Sequence, residues 1–195
     1  MDDNLFIHES QMPMRADAVQ NRALLLETAQ RLFNERGVEA VSMSQIAREA
    51  AVGKGTLYRH FNDKVDLCQA LLDESQRDLQ ERTFATLRSG TDPYEKLVWF
   101  LEQVIHYVTA NIALLFASNG SLAASHLIHP AHIWWRETIR GLLSQMKVEG
   151  NVSYLTDVIY VMLDVVTIRF QTESLGYTTE QVIGGLVETL DRLTD

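Results

Sequence analysis

Ser42–Phe61, S-M-S-Q-I-A-R-E-A-A-V-G-K-G-T-L-Y-R-H-F, divides into two short helical patterns around a turn at Ala51–Gly53. Met43, Ile46, Ala47 and Ala50 recur at i, i+3, i+4 and i+7, the spacing of one buried helix face. Ser42 or Ser44 can cap the first helix with a hydroxyl, because the first amides of a helix have no internal partner. Gly53 can leave that helix or start the next without the steric cost of a β-carbon. In the second pattern Leu57 and Phe61 face inward, which leaves Lys54, Gly55, Thr56, Tyr58, Arg59 and His60 facing outward. Such a helix has little to do for a core and many hydrogen-bonding groups to show, as a helix seated in a DNA major groove must. The same residues also fit a plain helical hairpin with a solvated face, since helix-turn-helix patterns occur as packing units.

A longer quotation carries a resemblance. Gly37–Lys64, G-V-E-A-V-S-M-S-Q-I-A-R-E-A-A-V-G-K-G-T-L-Y-R-H-F-N-D-K, resembles the helix-turn-helix of the TetR-type (TetR/AcrR family) transcriptional regulators. The I-A core, the G-K-G-T-L-Y-x-H-F segment and the following Lys carry it, over about a quarter of the chain. Beyond that, the likeness is one of length and all-helical layout. One departure is Gly53, where many members hold a capping Ser; the substitution weakens the cap by only a few tenths of a kcal/mol.

Position by position, the resemblance implies that Thr56, Tyr58 and His60 lie on the recognition helix, with Lys54 at its start. Ser42 and Lys64 match phosphate-holding positions, and Ser44 and Arg48 on the preceding helix reach backbone or base. Tyr58 offers a hydroxyl and a ring edge, Lys54 and Lys64 point charges, and Arg59 a bidentate fork for guanine; Gly55 completes the set.

A net charge of −9 looks wrong for a nucleic-acid binder until its distribution is read. Residues 15–61 hold seven Lys/Arg against five Asp/Glu, while residues 62–195 hold ten against eighteen. The one positive segment therefore contains the candidate reader. Phosphate attraction is short-ranged in physiological salt, so a local basic face can prevail over a distant acidic body.

At 195 residues and 46% apolar content the chain can bury a sizeable core, and only 3 Pro and 10 Gly favour long helices. The single cysteine, Cys68, excludes an internal disulfide and fits a reducing compartment. The acidic start M-D-D-N is no secretory signal, and no apolar run is expected to reach membrane-spanning length. A cytoplasmic protein with no membrane partner is expected.

The expected fold is all-α, with about nine helices in three parts. Residues 1–14 read as a mobile N-terminal tail, 15–61 as a three-helix DNA-binding domain, and 62–195 as an effector-binding and dimerisation domain. Asp17–Arg36 is an amphipathic helix with the stripe Leu25, Ala29, Leu32, Phe33 and a stop at Gly37. Asp63 opens a long helix to about Arg88, with Val65, Leu67, Cys68, Leu71, Leu72, Ser75, Leu79 and Phe84 on its apolar side. Asp92–Pro93 starts another, ending near Ala110; 111–127 reads as a short helix and loop. Helices over Pro130–Met146, Tyr154–Thr172 and Glu180–Leu193 complete the chain.

Tyr154–Thr172 is apolar all round and must be covered on more than one side. Gly184–Gly185 inside the last helix costs about 1 kcal/mol per residue unless close packing offsets it. A homodimer through Val158, Met162, Val165, Val166, Phe170, Ile183, Gly184 and Val187 is therefore expected, the alternative being a monomer whose own core covers both helices, and the resemblance implies a four-helix interface. Aromatic residues concentrate at 94–135. By spacing alone Trp99, Phe100, Tyr107, Phe116, Trp134 and Trp135 read as core. The resemblance implies instead that this region holds a small, mostly hydrophobic or aromatic effector, with Glu102, Gln103, His106, Glu137 and Asp164 as polar anchors.

His126, His129 and His132 are split by Pro130 and lack the i, i+4 pairing of a zinc site, so no metal is expected. No phosphate-cradling loop, nucleophile elbow or H-E-x-x-H is present, and neither an enzyme nor a cofactor is implied. The reading is a regulator binding double-stranded, palindromic operator DNA as a homodimer and released by a small molecule. Release would follow when the effector shifts the recognition helices away from the roughly 34–36 Å between successive major grooves. The alternatives are a ligand-independent regulator or activator, and a small-molecule-binding helical protein without DNA function.

Overall fold

The computed structural model describes residues 11–118 and 130–194, and among them every regular element is helical. The order is α1 (Gln11–Arg36), α2 (Met43–Glu49), α3 (Lys54–His60), α4 (Lys64–Leu87), α5 (Pro93–Ser118), α6 (Pro130–Met146), α7 (Val152–Met162), α8 (Val165–Arg169), a π-helical turn (Phe170–Ser174) and α9 (Thr179–Thr194). The chain divides into two compact units, Met1–Leu71 and Leu72–Asp195. This division falls inside α4 rather than at the expected 61/62, because Leu67, Cys68 and Leu71 are buried and belong to the first unit.

In the N-terminal unit α1 begins at Gln11, within the stretch expected to be tail. Pro13 does not prevent this, since the first amides of a helix need no intrahelical acceptor. Leu25, Leu26, Ala29, Leu32 and Phe33 form its buried stripe. Gly37 stops it at φ +80° and donates its N–H to Phe33 O at 2.8 Å. Ser42 caps α2 through a reciprocal pair: Gln45 N donates to Ser42 Oγ at 3.3 Å, and Ser42 N donates to Gln45 Oε1 at 2.7 Å. Met43, Ile46 and Ala47 then face the core.

The turn differs in one respect from its expected form. Its left-handed residue is Ala51, at φ +52°, whereas Gly53 is extended at φ −61°, ψ 141° and caps α3 without a side chain. An L-residue held there costs roughly 1–2 kcal/mol, which the buried Leu57 and Phe61 on the far side of the turn help to offset. Arg22 of α1 lies over the Phe61 ring at 5.4 Å.

In the C-terminal unit the α4 residues Leu72, Leu79 and Thr83 are buried, while Phe84, expected on the apolar side, is 47% exposed. In the N-terminal part of the same helix Val65 is likewise exposed. Lys96 is buried, and its Nζ donates to Leu87 O at 3.2 Å and Ser89 O at 2.9 Å, closing the C-terminal end of α4. Asp92 caps α5, its Oδ1 accepting from Tyr94 N at 2.8 Å. α5 runs on to Ser118 instead of ending near Ala110. Asn111 continues the helix by donating its side-chain amide to Tyr107 O, and Leu114 carries the buried face onward.

With a mean hydropathy of 1.3, α5 is long and apolar enough by composition to cross a membrane, contrary to the expectation that no run would be. Here Leu97, Phe100, Leu101, Val104, Ile105 and Val108 join the core of this unit, and α5 packs against α6, α8 and α9. The single helix expected over Tyr154–Thr172 is broken at Leu163–Asp164. Asp164 is extended, and its carboxylate accepts from Val166 N at 2.9 Å to start α8. Thr178 and Gln181 cap α9 reciprocally.

Candidate nucleic-acid interface

α3 commits Leu57 to the core and little else. Lys54, Gly55, Tyr58 and Arg59 are exposed on it, and Thr56 and His60 are half-buried. A β-carbon built on Gly55 would meet nothing within 4 Å, so no neighbour among the described residues requires glycine there. On α2, Ser44 and Arg48 are exposed, and Arg48 makes one loose contact to Glu49 at 3.4 Å.

Two of the expected phosphate contacts already have work inside the protein. Ser42 Oγ donates to Gln45 Oε1 at 2.9 Å within the cap. Lys64 is half-buried and donates to Glu39 O at 3.3 Å, which ties the start of α4 to the segment before α2. Asp63 caps the same helix start, its Oδ1 accepting from Asp66 N at 2.9 Å. Cys68, in the core behind this start, has its thiol pushed up to about 11 by burial, with Lys64 opposing the rise.

The aromatic residues of 94–135 are drawn together. Trp134 meets Phe100 edge-on at 5.7 Å and Phe84 at 6.1 Å, and Tyr107 meets Trp135 edge-on at 5.6 Å. Phe100 and Trp135 are fully buried; Trp99, Tyr107, Phe116 and Trp134 are half-buried against the same core. Burial, with Asp73 adding to it, raises the Tyr107 phenol well above its ordinary pKa.

The expected polar anchors are dispersed. Glu137 pairs with Arg140 and with Arg136 at 3.2 Å, Gln103 accepts from Arg82 at 2.5 Å, and Asp164 is the α8 cap. His106 is exposed and Glu102 half-buried. A cleft of about 180 Å³ between α7, the π-turn and α9 is lined by Met162, Gln171, Tyr177, Val182, Leu186 and Thr189, and holds none of the expected effector residues. The side-chain positions of His126, His129 and His132 lie outside the described residues.

One polar residue escaped the sequence reading. Gln76 occupies the α4 row Leu72–Gln76–Leu79–Thr83, and its carboxamide is buried. The heptad-like spacing of that row was the available signal, but a polar residue in it reads from sequence as solvent-facing.

Of the residues expected at a dimer face, Val165 is taken up by the chain's own core. Its place at the start of α8, set by the break at Asp164, turns it inward. Val166 and Phe170 are exposed, and Val158, Met162, Ile183 and Val187 are half-buried. Gly184 and Gly185 have nothing within 4 Å of a built β-carbon, so no packing among the described residues accounts for them.

Known proteins resemble the chain in two ways. Residues 25–71 match the family described as bacterial regulatory proteins, tetR family. An HTH-type transcriptional regulator of Staphylococcus aureus (strain bovine RF122 / ET3-1) is 53% identical over 73 residues, 37% of this chain and 37% of that protein. Its counterpart in strain USA300 is 54% identical over 66 residues, 34% of each chain. The match thus spans little more than a third of these relatives.

Likeness in fold extends over most of the chain. A transcriptional regulator from Saccharomonospora viridis, solved with choline, has a TM-score of 0.72 at 21% identity and covers 89% of this chain and 96% of its own. A TetR/AcrR regulator from Thermobifida fusca scores 0.71 at 18% identity, covering 88% and 96%. FadR from Bacillus subtilis, solved with stearoyl-CoA, scores 0.66 at 19% identity, covering 86% and 96%. Residues 25–71 thus carry the motif of the tetR family of bacterial regulatory proteins, and the described fold is similar to that of solved regulators over most of the chain.

Proposed function

We propose that the protein is a cytoplasmic transcriptional repressor, not an enzyme, that binds a palindromic operator as a homodimer and is released by a small, mostly hydrophobic or aromatic effector. The observation that carries this is α3. Four of its seven residues are exposed while Leu57 alone is buried, in the one segment of an acidic chain with excess positive charge. A side chain with no task inside the protein is free to hydrogen-bond base edges.

Gly55 fits the same reading. Glycine in a helix costs about 1 kcal/mol relative to alanine, and nothing among the described residues claims the space. A backbone approached closely by a phosphate would. Dimerisation is supported by the exposed Tyr154, Val161, Val166 and Phe170, and by the Gly184–Gly185 pair that leaves room for another backbone. Effector response is supported by the choline and stearoyl-CoA bound to the fold relatives and by the aromatic cluster of this unit. α4 is continuous from Lys64 to Leu87 and is the element through which occupancy would change operator affinity. Such coupling requires the effector to prefer one arrangement over another.

Footprinting on the DNA flanking the protein's own gene, with and without candidate effectors, tests this. A protected palindrome lost on adding a compound is the expected result. Lys64→Ala should weaken binding at every sequence and flatten its salt dependence, whereas changes at Thr56 or His60 should alter which sequence is preferred. No protection at any promoter DNA at low salt would sink the reading. Protection indifferent to every compound would favour a ligand-independent regulator.

A further inference from the structure

Gln76 stands in the α4 row with Leu72, Leu79 and Thr83, all three buried. Its Nε2 and Oε1 are both shut off from solvent, and neither has a hydrogen-bond partner among the described residues. A carboxamide brings two donors and an acceptor with two lone pairs, and native interiors leave few such groups unmatched. Leu79, one turn further on, belongs to the core cluster that contains Phe100 and Trp135. Asp73, nearly one turn back, is close enough to Tyr107 to add to the rise in its pKa. The amide therefore sits on a helix face that looks into the aromatic interior of this unit.

We propose that Gln76 anchors the effector, and that the effector is a neutral aromatic lactam or amide whose adjacent N–H and C=O pair reciprocally with the Gln76 carboxamide. This rests on the ligand-responsive reading above. An ionised ligand fits less well, since a carboxamide cannot neutralise a charge taken out of water. A plain hydrocarbon gains nothing from the amide. A lactam replaces two unmatched polar atoms with two hydrogen bonds, and the ring fused to it suits the aromatic walls. Side chains around the amide move aside as the ligand enters.

The test uses the full-length protein and a shape-matched pair of bicyclic probes, 2-quinolone and naphthalene, with equilibrium affinities measured for the native chain and for Gln76→Met. The native protein should bind 2-quinolone about tenfold or more tighter than naphthalene. Gln76→Met should remove that preference while leaving the naphthalene affinity within about twofold. Without ligand, Gln76→Met should melt at or above the native temperature, because methionine fills the site and leaves no unmatched polar atom. Equal affinity for the two probes, no binding of either, an unchanged preference in Gln76→Met, or a lower melting temperature of the ligand-free variant would each overturn the proposal. Gel shifts run in parallel separate the two levels. Native protein that retards its operator while the probes fail loses only the anchor, whereas protein that retards no DNA loses the regulator.

Discussion

In the N-terminal unit α3 gives Leu57 to the core and leaves Lys54, Gly55, Tyr58 and Arg59 at the surface. In the C-terminal unit the residues expected to meet a ligand, Phe100 and Trp135 above all, are inside the core. The first region separates what holds the fold from what faces outward; the second uses one set of side chains for both. A substitution on the exposed face of α3 can therefore report on binding alone. A substitution in the aromatic cluster changes stability first, and any effect on ligand has to be read through that change.

The largest effect should come from the shared set. Phe100→Ala removes a fully buried ring and should cost about 3–5 kcal/mol in thermal or denaturant unfolding. A loss below about 1 kcal/mol would show that Phe100 borders preformed space and would erase the contrast. Cys68 provides a smaller effect on the other side of the comparison. Its thiol is raised by burial to about 11, so the folded state holds a proton that the unfolded chain has released. The stability this contributes is fully present below the unfolded pKa of 9.0 and is lost as pH rises through the folded value, on the order of 3 kcal/mol. Melting temperatures for the native protein and Cys68→Ala should then converge between about pH 9 and 11.

Arg59→Ala should leave the unfolding free energy within about 0.5 kcal/mol of native while weakening operator binding by about 1–3 kcal/mol. If stability fell as well, α3 would share the mixed character of the aromatic cluster. The smallest effect has two signs. Gly55→Ala should stabilise the free protein by about 0.5–1 kcal/mol, since the β-carbon meets no neighbour, and should weaken operator binding in a gel shift.

The same contrast explains what was legible in the sequence. The pair α2–α3 and a cap at Ser42 or Ser44 are legible, because periodicity, a capping Ser and a short turn all act within a few residues, and the structure selects Ser42. The sequence places the end of α5 near Ala110, whereas Asn111 is a helix residue whose side-chain amide donates to Tyr107 O. The break at Leu163–Asp164 was missed because the apolar run continues through it, and only the carboxylate to Val166 N marks a new start. Val165 changes from expected interface to core through that one break. The burial of the Gln76 carboxamide is set by neighbouring helices, which local spacing does not encode.

The ammonium of Lys96, held by the carbonyls of Leu87 and Ser89, bears on stiffness. The last carbonyls of a helix ordinarily loosen into water, and a helix that frays absorbs a push at its end. α4 has 24 residues, a rod of about 36 Å. With its C-terminal end clamped to the first turn of α5, a movement of α5 would turn the rod instead of unwinding it. Swapping the ammonium for a methyl-ended chain of similar length would give the same protein a soft end.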